Sequence, residues 1–127
     1  MARHASPEHN EQVLFFKRVA LDPRTSEILI TAIPNGGFRF KATAAKLKAE
    51  GVKAGVPDIL CFERSGDGIR CGLAIEMKRP KTAISRAGTV SDSQQGWLDG
   101  LRDCSWEVAV CYSAEEAWDK LMGHLGM

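Results

Sequence analysis

Two short apolar runs on either side of a glycine-rich turn constrain this chain most. Ile59 to Phe62 is entered through Pro57, Ser65-Gly66-Asp67-Gly68 is a turn cluster, and Ile69 to Lys78 reads as a second strand. Together they suggest a β-hairpin. With its centre at Asp67, Asp58 faces Glu76 across the pair. Directly opposed side chains lie about 4.5–5.5 Å apart at Cβ and project from the same face, and like charges so placed destabilise a sheet. A shared proton, a basic neighbour or a divalent cation must offset that repulsion.

Alternation along Gly72-Leu73-Ala74-Ile75-Glu76-Met77-Lys78 puts Glu76 and Lys78 on one face and Leu73, Ile75 and Met77 on the other. Asp58, Glu76 and Lys78 therefore gather at the ends of apolar strands. Two carboxylates and an ammonium, with room for water, suit Mg²⁺, which binds through one or two carboxylates and keeps waters or phosphate oxygens elsewhere. The plainer alternative is a strand-end salt bridge from Lys78 to one carboxylate.

The rest of the chain supplies layers for such a hairpin. Ser6 as N-cap and Pro7 at the first helical position open a helix that Asp22-Pro23 ends. Ile28 to Ile33 reads as a strand stopped by Pro34-Asn35-Gly36-Gly37, and Ala42 to Glu50 as a short helix closed by Gly51. Residues 79–90 read as a loop. Ser91 and Gln94 are spaced as a capping box for a helix to about Arg102. Trp106 to Tyr112 is a strand, and Ser113 with Glu116 makes a second capping box before the last helix. The order α-β-(α)-β-β-α-β-α describes an α/β domain around a mixed sheet.

At 127 residues the chain reads as one domain, with an ordinary soluble mix of 44% hydrophobic and 26% charged residues. No apolar run approaches the roughly 18 residues of a membrane span, the N-terminus lacks a signal-peptide stretch, and no Gly-rich loop of nucleotide-binding type is present. The formal net charge is only +1, but its distribution is uneven. Arg39, Lys41, Lys46, Lys48 and Lys53 share their stretch with one acid, Glu50, and Lys78, Arg79, Lys81 and Arg86 follow with none. Beyond Asp92 acids dominate. A basic face of this kind steers polyanions, while the plainer reading is two solvated surfaces that differ. Cys61, Cys71, Cys104 and Cys111 lack zinc-site spacing and read as reduced, buried thiols in a cytoplasmic setting.

Pro57-Asp58 followed by Glu76-Met77-Lys78 resembles the Pro-Asp…(Asp/Glu)-X-Lys, or PD-(D/E)XK, nuclease superfamily. The flanking blocks are more specific. Glu8-His9-Asn10-Glu11-Gln12, Ile33-Pro34-Asn35-Gly36-Gly37, the run from Leu47 to Asp58, Gly72 to Pro80, and Ser91 to Leu98 are together similar to the VRR-NUC family, in its order and over nearly the whole chain. The resemblance is to a standalone member of the phage-encoded kind, which would act in the host cytoplasm. It implies a restriction-endonuclease-like core spanning residues 1–127 and an Mg²⁺- or Mn²⁺-dependent DNA endonuclease. Asp58 and Glu76 match the metal ligands, with the backbone carbonyl of Met77 completing the protein's share. Lys78 matches the catalytic lysine. Glu8 matches an acid on the first helix that reaches the metal directly or through water, and Gln94 a glutamine near substrate or lysine. One departure is that the stretch between Lys78 and Ser91 is longer and more basic than the family's short link. Small standalone relatives imply a homodimer that cuts branched DNA such as four-way junctions, leaving 5′-phosphate and 3′-hydroxyl ends.

Each of these residues also has a plainer reading. Glu8 would complement the helix dipole and Gln94 would only complete the capping box. Asn35-Gly36-Gly37 is a turn, or a cradle whose amides act with Arg39 on a phosphate. Lys48 and Lys53 are solvated surface or contacts to the DNA backbone. Trp97, Trp106 and Trp118 read as core. Two other functions fit the same residues: an inactive DNA-binding module of this fold, and an interaction protein of a phage replication complex.

Overall fold

The computed structural model describes residues 6–34 and 41–127. Among them the order is α1 (Pro7–Leu21), β1 (Ile30–Ala32), α2 (Lys41–Ala49), β2 (Ile59–Cys61), β3 (Leu73–Met77), α3 (Asp92–Asp103), β4 (Glu107–Cys111) and α4 (Ala114–Leu125). The strands form one mixed sheet in the order β1-β2-β3-β4. β1 and β3 each run antiparallel to β2, and β4 runs parallel to β3. Parallel neighbours need a long crossover, which α3 supplies. None of the described helices is long and apolar enough to cross a membrane.

The hairpin register is the expected one. Ile59 pairs with Ile75, Leu60 with Ala74 and Cys61 with Leu73, so one further step sets Asp58 opposite Glu76. The strands are shorter than their apolar runs. β3 begins at Leu73 rather than Ile69, because the turn satisfies its backbone locally. The Ser65 hydroxyl accepts from the Arg70 amide at 2.8 Å, and the Asp67 carboxylate accepts from Ile69 N–H at 3.0 Å. β1 is shorter than Ile28 to Ile33, although Phe62 N–H to Leu29 O and Ile33 N–H to Asp58 O, each 2.7 Å, continue its bonding at both ends.

The sheet is covered on both sides, so every residue of β3 is buried. Leu73, Ile75 and Met77 join Ile59, Cys61 and Cys111 against Phe15 and Val19 of α1 and Ala117, Trp118 and Leu121 of α4. The Arg18 guanidinium lies 4.2 Å over the Trp118 ring. Glu11 accepts from the Ala114 amide at 3.2 Å, tying α1 to the start of α4. On the opposite face, Ala74 and Glu76 are buried on the side to which α3 brings Leu98 and Gln94.

Several local expectations are corrected. Cys61 and Cys111 are buried, but Cys71 and Cys104 are exposed, Cys104 because it caps the end of α3 outside the core; all are free thiols. Trp118 is core, whereas Trp97 and Trp106 are only half-buried. Before α4, Ser113 caps the Glu116 amide, but the Glu116 carboxylate accepts from Tyr112 N–H at 2.7 Å rather than closing the box on Ser113.

Candidate active site

Asp58 is held from two sides at the end of β2. Its carbonyl accepts from Ile33 N–H, and its Oδ2 accepts from Met77 N–H at 2.7 Å. Buried Pro57 leads into it. The side chain therefore crosses to β3 at the level of Glu76, which is 2% exposed. Burial pushes the Glu76 carboxyl up to about 8, and the charge of Asp58 adds to that; burial also raises Asp58, against the Met77 hydrogen bond. Two carboxylates that face one another repel unless a proton or a cation lies between them. Glu76 Oε2 is buried without a hydrogen-bond partner.

Lys78 and Gln94 complete the cluster. Lys78 Nζ donates to Gln94 Oε1 at 2.7 Å and lies 3.6 Å from Glu76 Oε1, its side chain 15% exposed. Gln94 Nε2 donates to Glu76 Oε1 at 2.9 Å, while Gln94 Oε1 also accepts from Ser91 N–H at 2.9 Å. Gln94 thus fills the capping role and the site role at once. The first turn of α3 is geometrically part of the site.

Glu8 reaches the same neighbourhood from α1. Its Oε2 is buried without a hydrogen-bond partner, and its charge helps to raise Asp58. Lys48 and Lys53 are exposed. Asn35 and Arg39 lie outside the described residues.

The donor set fits a hard divalent cation. Buried carboxylate oxygens without donors, on Glu76 and Glu8, are what such an ion takes, and two carboxylates are enough for Mg²⁺. Among the described residues no three His, Cys, Asp or Glu form a ready-made ligating group. Asp58, Glu76 and the Met77 carbonyl are the groups that would hold the ion.

Two glycines that the motif reading passed over shape this site. Gly55 has φ +91°, and a Cβ there would lie 2.8 Å from Ser93 backbone atoms and 3.0 Å from Gln94 N. Only glycine lets the Gly55 segment support the start of α3. Gly88 lies against the Lys78 stem, its missing Cβ position 3.5 Å from Lys78 Cβ and Cδ. The sequence signal was available for Gly55, a glycine just before Pro57-Asp58, but none marked Gly88. A cavity of about 580 Å³ lies elsewhere, lined by Arg70, Arg102, Trp106 and His124 among others and by none of the clustered carboxylates.

The model of the VRR-NUC domain family matches residues 4–115. A solved structure described as a VRR_NUC domain protein superposes with a TM-score of 0.75 at 20% identity, covering 98% of this chain and 92% of that one. At that identity the likeness speaks for the fold. No curated protein matches the sequence.

Proposed function

The chain belongs to the VRR-NUC family, a nuclease-type domain with DNA as substrate, and we propose that it is an Mg²⁺- or Mn²⁺-dependent DNA endonuclease selective for branched DNA. One observation carries the reading: half-buried Asp58 faces buried Glu76 at a strand end, and Gln94 links Glu76 to Lys78. A fold built only for stability would replace such a pair, since buried like charges are costly.

A divalent cation bound there would supply Lewis-acid polarisation of the scissile phosphate and neutralise charge on its oxygens. The protein's own groups do the rest. Asp58 and Glu76 fix an anionic pocket that accepts cations and repels phosphate when empty. Gln94 holds the Lys78 ammonium toward the carboxylates, where it donates to a phosphate oxygen or to the attacking water. Water adds to phosphorus in line, the bond to the 3′-oxygen breaks, and the products carry 5′-phosphate and 3′-hydroxyl ends. Glu8, with an unpartnered oxygen and a charge that bears on Asp58, would accept a hydrogen bond from that water. A homodimer with a twofold pair of such sites suits a roughly symmetric four-way junction.

The test is a cleavage panel of labelled four-way junction, splayed and linear duplex DNA with Mg²⁺, Mn²⁺ or EDTA. Metal-dependent cutting that is abolished in Lys78→Ala is expected. Binding without cutting would identify a DNA-binding module instead, and neither would identify an interaction protein.

A further inference from the structure

The loop between β3 and α3 leaves the site directly from Lys78. Residues 79–90 contain Arg79, Lys81 and Arg86 and no acid. The loop is stapled at its base. Arg79 Nε and Nη2 donate to the Arg86 carbonyl at 3.0 and 2.8 Å, and Gly88 N–H donates back to the Arg79 carbonyl at 2.8 Å. Its outer turn is closed as well. Thr82 N–H donates to Ser85 O at 3.0 Å, and Thr82 Oγ1 accepts from the amides of Ile84 and Ser85 at 3.3 and 3.0 Å. Within this turn Ile84 is 97% exposed.

A single exposed isoleucine is ordinary on a protein surface. This one stands on a hydrogen-bonded turn, in an acid-free loop with exposed Lys81 and Arg86, on the segment that also packs Gly88 against the Lys78 stem. Cations of that kind hold phosphates, and a preorganised loop loses little entropy on docking. An apolar side chain presented between phosphate contacts inserts between base steps. Unstacking costs least where stacking is already interrupted.

We propose that the 79–90 loop is a DNA-engaging finger whose Ile84 inserts at the branch point, so that this loop sets the enzyme's preference for branched substrates. The inference deepens the nuclease reading and rests on it. Ile84 is six positions beyond Lys78, so the tip lies within ~22 Å of the lysine's Cα along the chain. At about 3.4 Å per nucleotide, cuts should fall within about six nucleotides of the branch point.

The experiment places 2-aminopurine at the exchange point of a four-way junction and follows its fluorescence as full-length protein is added, in EDTA and again in Ca²⁺. Wild type should brighten the probe and bind the junction about tenfold tighter than linear duplex of equal length, the scale of one stacked side chain. Ile84→Ser should lose both effects with its thermal unfolding unchanged, and Ile84→Phe should keep them. Thr82→Ala, which frees the turn but leaves Ile84, should weaken the junction preference in part. Wild type that fails to brighten the probe in either condition, or Ile84→Ser that brightens it equally, overturns the inference. So does Ile84→Ser that changes only self-association in sedimentation, which would assign the tip to a second copy of the chain. Adding Mg²⁺ or Mn²⁺ to the same samples reads cleavage separately. Cutting that does not depend on Ile84 overturns only the finger, and Ile84-dependent brightening without cutting overturns only the nuclease.

Discussion

Glu76 and Glu107 sit on neighbouring parallel strands, near opposite ends of one ladder, and their surroundings are opposite. Glu107 pairs with Leu73 at the turn end, and Glu76 with Val110 one step from the other end. Glu107 has a cation or ring nitrogen on each oxygen: His124 Nδ1 at 2.9 Å on Oε1 and Lys120 Nζ at 3.0 Å on Oε2. His124 is itself anchored by Glu63 O at 2.8 Å. Burial pushes the Glu107 carboxyl up, but the His124 and Lys120 hydrogen bonds outweigh it and hold it below its usual range. Glu76 is more deeply buried, faces another carboxylate and leaves one oxygen unpartnered. One carboxylate is finished by the fold; the other keeps a buried oxygen that no hydrogen bond satisfies. The contrast separates a residue that stabilises from one whose unmet bonding capacity the proposed function would use.

The sharpest way to break the comparison is Glu76→Gln. It should lower cleavage by roughly 10³-fold or more, the scale of several kcal/mol of lost charge stabilisation, measured under single-turnover conditions. Activity near wild type would remove the basis for calling this end functional. Next in size is Gly55→Ala. A Cβ at positive φ against the start of α3 should displace Gln94, costing on the order of 10²-fold in cleavage with roughly 1–2 kcal/mol in denaturant unfolding. Glu107→Gln should do the reverse. We expect a loss of about 1 kcal/mol of stability and unchanged cleavage, read by the same two assays.

The smallest effects are in pH dependence, and here the two ends have opposite signs. Glu76 is raised from 4.5 to about 8, so in metal-free protein its contribution is fully present below pH 4.5 and is lost as pH rises through about 8. Glu107 is lowered from 4.5, so its contribution is present above that pH and is lost as pH falls below it. A melting-temperature scan should fall on both sides. Glu76→Gln should flatten the alkaline limb and gain on the order of 1 kcal/mol near pH 8, and Glu107→Gln should flatten the acid limb. Identical limbs in both variants would erase the distinction.

Much of the site could be read from residue order because a hairpin is local. The centre at Asp67 sets the register, and the register alone opposes Asp58 to Glu76. The Ser91–Gln94 capping box was likewise legible, since a cap spans a few adjacent residues. The amide of Gln94 lying between Lys78 and Glu76 was not legible from residue order, because it depends on where α3 docks across the sheet; only the family resemblance set a glutamine near the lysine. Sequence also ran Ile69 to Lys78 together as strand, since β-branched and apolar residues look alike whether a ladder or a serine hydroxyl satisfies their backbone. Cys104 read as buried for the same reason: it lies beside an apolar run yet falls on the capping residue.

Sequence by itself determined which chemical groups lie at the hairpin's open end and which faces of the strands are apolar, because alternation and turn position act over a few residues. Tertiary packing alone decided how strongly Glu76 is desolvated, that Glu8 brings an unpartnered oxygen from a distant helix, and that Gly55 and Gly88 shape the approach to Gln94 and Lys78. Those are properties of segments remote in the chain meeting at one point, and burial and electrostatics come into being only when they meet.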